Sequence, residues 1–316
     1  MKIIFAGTPD FAKDHLEILF SSRHEVIGVL TQPDRRSGRG KKLQTSPVKE
    51  LSIHKDIPLF QPETLKDADT VSRLAELKPD VILVVAYGLI VPPSILEIPK
   101  LGCINIHASL LPRWRGASPM EYAILNGDKK IGISYMKMSE GLDEGPVYEM
   151  HSEELNEHDD LNAVEKKLIR LSQDNLNEFL NKVETGKVTC TDQDNQEATF
   201  APKIEKNIVQ LNWADDSAEV IVRKINALGY KYGTYTHLGD KRVKILKANI
   251  CNTELANKPG HIIMSKNKMV VSCGGNSTVE VDTIQMQGKN KVSGLDFISG
   301  YSDLITTHKN FSFVVQ

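Results

Sequence analysis

The first half of the chain alternates short, mainly apolar runs with helical patterns, and this alternation restricts the fold more than any other feature. Residues 2–6, 25–30, 81–87 and 103–107 each read as a strand buried on both faces. A strand buried on both sides belongs in a parallel sheet with helices packed over it. Between the runs, residues 10–19 place Phe11, His15, Ile18 and Leu19 at helical spacing, and residues 68–77 do the same with Val71, Leu74 and Leu77. The unit is βαβ, repeated, which predicts a Rossmann-like α/β domain. Residues 159–184 then predict a long amphipathic helix with Gly186 just past its end, closing that domain near residue 188.

From Thr189 the pattern turns polar and aperiodic, which predicts a linker over 189–206. The character changes again in 207–316. After one helical pattern over 217–228, short β-type pieces follow at 235–238, 243–248, 261–264, 269–272 and 279–284. Turn signals such as Gly239-Asp240 and Gly274-Gly275-Asn276 separate them, so a small barrel or sandwich is expected.

Charge divides along the same line. Residues 1–206 carry 26 basic and 32 acidic side chains, a balance of -6, and residues 207–316 carry 13 and 9, a balance of +4. A basic C-terminal part on a nearly neutral chain suits a polyanionic partner, or is an ordinary solvated face. Cys103, Cys190, Cys251 and Cys273 are scattered without a close pair, which indicates neither a disulfide framework nor a zinc site. The opening run lacks the basic start and long apolar core of a secretory signal, and no apolar stretch approaches the ~20 residues of a membrane span. A cytoplasmic, membrane-free protein is expected.

Polar groups appear where a buried strand runs out. Asn105 and His107 lie two apart on the strand over 103–107, so both point to one side. A histidine at a strand end is commonly structural, yet the carboxyl end of a parallel strand is where open α/β sheets bind ligands. A second polar island, Ser139 to Pro146, holds Asp143 between Gly141 and Gly145, either a plain acidic turn or a turn that aims a carboxylate. An amide donor for an oxyanion, an imidazole and a carboxylate to support its charged form are what acyl transfer to an amine requires.

The asparagine-histidine pair running into Ser109-Leu110-Leu111-Pro112, followed by Gly141-Leu142-Asp143, resembles the folate-dependent formyltransferase family. Phe5 to Phe11, Thr31 to Arg35, Gly38 to Leu43 and Val85 to Gly88 resemble the branch of it that acts on methionyl-tRNA. The resemblance implies that Asn105, His107 and Asp143 are catalytic. It implies that Ser109, Leu110, Leu111 and Pro112 line the tetrahydrofolate site, and that Ala86, Tyr87, Gly88 and Leu89 help form the pterin pocket. The co-substrate would be 10-formyltetrahydrofolate, the acceptor the α-amino group of initiator methionyl-tRNA, and no metal would take part. It further implies a monomer whose C-terminal part is an OB-like β-barrel following the RNA stem. Where the family usually shows Asn-Pro-Trp-Pro, this chain has Ala227-Leu228-Gly229-Tyr230-Lys231-Tyr232-Gly233.

Residues 34–49 hold Arg35, Arg36, Arg39, Lys41, Lys42 and Lys49 against one acid, Asp34, a balance of +5. Such a loop can simply be solvated, or it can order on phosphates. The resemblance implies that Arg35, Arg36, Arg39, Lys41 and Lys42 meet tRNA, with Arg39 reading a base pair. Other readings stay open at this point. A formyltransferase for a sugar nucleotide or purine precursor, or a hydrolase of the formyl group, would share the three polar residues but leave the basic loop unused. A non-catalytic RNA-binding protein would not need the polar islands. A nicotinamide oxidoreductase would want a glycine fingerprint, which Gly7-Thr8-Pro9 lacks.

Overall fold

The computed structural model describes residues 1–37, 42–251 and 258–313, with the side chains of Ser37 and Lys42 left out. Two compact units emerge. Unit 1 comprises Met1–Pro119, Lys130–Glu154 and Glu165–Pro202, and unit 2 comprises Met120–Lys129, Leu155–Val164 and the chain from Lys203 onward.

The chain opens with β1 (Lys2–Gly7), α1 (Asp10–Phe20) and β2 (Glu25–Leu30), then a hairpin of β3 (Arg35–Ser37) and β4 (Lys42–Gln44). Next come α2 (Pro47–His54), β5 (Leu59–Phe60), α3 (Ala68–Glu76), β6 (Val81–Val85), α4 (Pro93–Leu96) and β7 (Cys103–His107). After β8 (Arg115–Gly116) and α5 (Pro119–Asn126), the chain forms β9 (Lys130–Lys137), β10 (Val147–Glu154), α6 (Leu161–Glu184) and β11 (Phe200–Ala201).

Among the described residues, unit 1 holds a seven-stranded sheet in the order β10-β9-β7-β6-β1-β2-β5. The five strands from β7 to β5 pair in parallel, and β9 and β10 add an antiparallel edge. Ile3, Ile4, Phe5, Val81, Leu83 and Ile104 are sealed from solvent, as strands covered on both faces must be. Local signals set the helix ends. Ser46 caps α2 by accepting from the Lys49 N–H, with Pro47 in the first turn, and Asp67 caps α3 through the Thr70 N–H. Past α6, Gly186 takes φ 65° and its N–H reaches Val183 O while the Lys187 N–H reaches Lys182 O, a Schellman stop.

His151 lies on the edge strand β10, its ring tilted against Tyr135 at 5.5 Å. One expectation changes here. The stretch 189–202, expected as linker, counts with unit 1: the Thr191 N–H and Val147 O exchange a bridge, and β11 pairs in parallel with β8.

Unit 2 continues with α7 (Ala218–Leu228), β12 (Tyr235–Leu238), β13 (Lys241–Cys251), β14 (Ile262–Ser265), β15 (Lys268–Ser272), β16 (Thr278–Met286), β17 (Lys291–Ser293), α8 (Gly294–Gly300) and α9 (Ser302–His308). The strands form an antiparallel sheet in the order β12-β13-β16-β15-β14, with β17 beside β16. Register shifts along β13 between Ile245 and Ala248 mark bulges, which bend a strand and strengthen its twist. Trp213, Ile221, Val222, Ile225, Val243, Ile245, Val281 and Phe297 fill its core. The Trp213 indole N–H donates to Thr236 Oγ1 at 2.9 Å, satisfying the polar edge of a buried ring. The departing segment 227–233 has a task within this unit: the Tyr232 hydroxyl (2.8 Å) and Lys231 Nζ (3.1 Å) both donate to the buried Glu121 carboxylate, while Tyr230 is exposed.

Candidate functional site

In unit 1 the parallel strands β1, β2, β6 and β7 end at one edge, and Val84 is the register partner of Asn105. Asn105 and His107 share a face, and His107 is 5% exposed.

Asp143 meets both. Its Oδ1 accepts from Asn105 Nδ2 at 3.3 Å, its Oδ2 accepts from the Gly116 N–H at 2.8 Å, and Oδ2 lies 3.7 Å from His107 Nδ1. That last distance suits an ion pair and is too long for a hydrogen bond. His107 Nε2 is 2.9 Å from Trp114 O. A carbonyl oxygen only accepts, so Nε2 carries a proton and Nδ1, facing Asp143, is the nitrogen free to gain or lose one.

The Asp143 turn is not made as the flanking glycines suggest. Asp143 itself takes the left-handed conformation, φ 49°, where a non-glycine residue is strained. Gly145 is required for closeness: a Cβ there would stand 1.9 Å from Lys137 O. What holds the strained residue is Gln193, whose amide donates to Asp143 O at 2.8 Å and to Gly145 O at 2.7 Å. Gln193 Oε1 in turn accepts from Arg115 Nε and Nη2 at 3.0 and 2.9 Å, and Arg115 Nη2 also reaches Asn195 Oδ1 at 2.8 Å. Sequence reasoning passed over both residues. Gln193 sits in a polar run without period, and Arg115 shares its short segment with another arginine, Arg113, so neither is marked by pattern.

The loop after β7 is self-supported. Ser109 Oγ donates to Arg113 O at 2.6 Å, Ser134 Oγ donates to Ser109 O at 2.7 Å, and the Leu111 N–H donates to Ser134 Oγ at 3.1 Å. Leu111 is buried, while Leu110 and Pro112 are partly open. In the loop after β6, Ala86 takes φ 45° and is exposed, and Tyr87 is buried with its phenol pushed up to about 12 by desolvation. Tyr87 O accepts from Thr8 Oγ1 at 2.9 Å and Gln32 Nε2 at 3.1 Å, tying the loops after β1, β2 and β6 together. Gly88 has φ 85°, and a Cβ there would meet Gln32 Nε2 at 2.5 Å. Leu89 packs on the core cluster of β1 and β6. Ser109 to Pro112 thus follow β7, which carries Asn105 and His107, and Ala86 to Leu89 follow its parallel neighbour β6.

Of the basic residues, Arg35 and Arg36 are exposed on β3, at a distance from this cluster along the chain, and Lys42 opens β4. Arg39 and Lys41 lie outside the described residues. Lys49 is used within the fold: its ammonium holds Asp34 at 2.7 Å, and that bond with one from Gln61 keeps the Asp34 carboxyl below its ordinary value. The pair cancels, leaving the five cations between 35 and 42.

The chain is similar to known proteins. Residues 1–180 match the formyl transferase family, and residues 203–302 match the formyl transferase C-terminal domain. The methionyl-tRNA formyltransferase of Kosmotoga olearia is 42% identical over 296 residues, covering 93% of this chain and 94% of that one. That of Nitrosomonas eutropha is 43% identical over 301 residues, covering 95% of each. Among solved structures, the N-formyltransferase from Helicobacter canadensis, in complex with folinic acid and dTDP-3-aminofucose, superposes with a TM-score of 0.67 at 16% identity, over 90% of this chain and 99% of that one. With the first 180 residues and most of the C-terminal part matched in this way, the chain belongs to the formyl transferase family.

Proposed function

We propose that the protein transfers the formyl group of 10-formyltetrahydrofolate to the α-amino group of initiator methionyl-tRNA, acting as a cytoplasmic monomer. The observation that carries this reading is the Asp143 carboxylate, set against Asn105 and His107 at the carboxyl ends of parallel strands. Relatives named methionyl-tRNA formyltransferase, similar over nearly the whole chain, favour this acceptor over a sugar nucleotide or purine precursor. The folinic acid held by the Helicobacter canadensis N-formyltransferase supports a folate donor.

In this mechanism the amino nitrogen attacks the formyl carbon and the carbonyl electron pair moves onto oxygen. One amide hydrogen of Asn105 is engaged by Asp143, and the other is free to donate to that oxyanion. His107 Nδ1 takes the proton lost by the amine, with Asp143 balancing the imidazolium charge, and delivers it to the departing folate nitrogen as the carbon–nitrogen bond breaks. Ser109 to Pro112 and Ala86 to Leu89 line the folate site, which needs no metal.

Arg35, Arg36, Arg39, Lys41 and Lys42 contact the tRNA, with Arg39 reading the acceptor end. Unit 2 is read as an OB-like barrel that follows the RNA backbone. The bridges of Ser312 to His237 and of Asn310 to His261 support closure, because one segment then touches both edges of the open sheet. Among the described residues no helix is long and apolar enough to cross a membrane.

The test is formylation of charged initiator tRNA by 10-formyltetrahydrofolate, beside the same tRNA uncharged. Formyl-methionine released only from the charged sample is the expected result, and its absence refutes the reading.

A further inference from the structure

We infer that Gln193, outside the reacting triad, is a positioning residue that sets the Asp143 carboxylate for formyl transfer, with Arg115 orienting it. The inference rests on the functional reading above, in which Asp143 supports His107.

The Gln193 amide has two hydrogens and two main acceptor sites, and all four are used. Both hydrogens go to main-chain oxygens of the catalytic turn, Asp143 O and Gly145 O, and both acceptor sites face the Arg115 guanidinium. The guanidinium fork is planar and rigid, so a two-point grip on Oε1 fixes which way the amide faces and aims its NH₂ at the turn. Arg115 is 4% exposed and is itself seated by main-chain pairing with the segment that carries Gln193, its N–H donating to Thr199 O at 2.9 Å.

The turn needs such a hold. Asp143 sits at φ 49°, a conformation that is strained for a residue with a Cβ and persists where surrounding bonds over-determine it. Gln193 grips the carbonyl of that very residue. Released from the grip, Asp143 can relax toward negative φ, which swings its carboxylate off Asn105 Nδ2, the Gly116 N–H and His107 together. Displacement of a catalytic group by about 1 Å can cost ~10²-fold in rate without touching substrate contacts.

The chain also doubles back at this point for a physical reason. Residues 189–202 are held by the Val147–Thr191 bridge and by the β8–β11 pair, with the Trp114 N–H on Thr199 Oγ1 at 2.9 Å. Trp114 is the residue whose carbonyl orients His107. One segment therefore braces the imidazole through Trp114 and the carboxylate through Gln193.

The test compares Gln193→Ala and Gln193→Glu with wild type and with Asp143→Asn, measuring kcat and both KM values for formyl transfer to charged initiator tRNA, together with thermal melting. Glutamate is isosteric and keeps the acceptors for Arg115 but has no hydrogens for the two turn carbonyls. If Gln193 positions Asp143, both variants lose about 10- to 100-fold in kcat, both KM values stay within about threefold, and both melt cooperatively near wild type. A Gln193→Glu enzyme with wild-type kcat would reduce Gln193 to a partner for Arg115 and overturn the inference. Loss of cooperative melting in both variants would overturn it as well, making the residue part of the fold. Should wild type transfer no formyl group, the functional reading itself fails. An active wild type, an impaired Asp143→Asn and unimpaired Gln193 variants sink this inference alone.

Discussion

The backbone N–H of Gly116 donates to Oδ2 of Asp143 at 2.8 Å. The Asn105 amide faces Oδ1, so each carboxylate oxygen already meets a donor before any substrate arrives. Asparagine in this place offers one acceptor and one donor, and whichever way it turns, its NH₂ opposes either the Gly116 N–H or the Asn105 NH₂. Asp143→Asn also removes the charge that supports a protonated His107. We expect kcat for formyl transfer to fall ~10²-fold or more, with the KM for folate little changed. Steady-state kinetics decide it, and a kcat within twofold of wild type would remove Asp143 from the site.

In the proposed mechanism Asn105→Ala deletes the donor to the developing oxyanion, and His107→Ala deletes the proton carrier. Both act on charge that appears in the transition state, so each should lower kcat by ~10²–10³ while the Kd for 10-formyltetrahydrofolate stays within a few-fold. Equilibrium folate titration beside single-turnover rates separates the two quantities. A variant that weakens binding and leaves the rate intact would place its side chain in the folate pocket instead.

Gly116 has φ 117°, and a Cβ there would lie 2.8 Å from Ala201 O, a main-chain atom of the paired strand β11. Neither the conformation nor the clash can be relieved by a side-chain rotation. Gly116→Ala should cost about 1–3 kcal/mol of stability and loosen the N–H that holds Asp143, so activity falls as well. Urea unfolding gives the first and kinetics the second. Unchanged stability would mean that β8 and β11 can part at no cost.

The parts of this molecule that are plain in its sequence are those whose physics is local. β1 and β6 announce themselves because a strand covered on both faces is apolar almost throughout, and Ile3, Ile4 and Leu83 are wholly buried. β10 escapes that test: at the sheet edge its Tyr148, Glu149, His151 and Glu153 are only partly covered, so polar and apolar residues mix. The helices α8 and α9 are likewise hidden, since α8 begins and ends in glycine and α9 buries no residue. Asn105 and His107 stand out as polar residues on an apolar strand, and Asp143 as an acid between glycines. Gln193 does not stand out, because its bonds reach back 50 and 48 positions and nothing periodic marks such a pairing.

Arg35 and Arg36 are exposed on the β3–β4 hairpin beside the Asp34–Lys49 pair that anchors its base. If the hairpin meets phosphates, Arg35→Ala and Arg36→Ala should each weaken initiator and elongator tRNA alike. The slope of log K against log salt should flatten by about one unit for each arginine removed. Filter binding across a salt series reads both slopes. Slopes equal to wild type would leave these arginines as solvated surface.

The last expectation concerns His15, buried in α1 between Phe11 and α6. Its Nδ1 is 2.7 Å from Phe11 O and its Nε2 is 2.7 Å from Ser172 Oγ. The carbonyl can only accept, so Nδ1 carries the hydrogen and Nε2 accepts from the serine, which uses both nitrogens of a neutral ring. Desolvation opposes a charge there and lowers the histidine to about 4 from its ordinary 6.5, outweighing the Phe11 carbonyl and Asp14, which act the other way. An unfolded chain therefore takes up a proton below pH 6.5 that the folded chain refuses until about pH 4. The contribution to stability is complete above pH 6.5 and is lost as pH falls toward 4, by about 3 kcal/mol in all. His15→Gln has nothing to titrate in this window. Its urea-derived stability, whatever its absolute value, should fall less steeply than that of wild type between those limits. His24, also lowered by burial, is common to both proteins and drops out of the difference. Parallel stability profiles for the two proteins would mean that His15 becomes charged inside the fold at no cost, against the burial seen here.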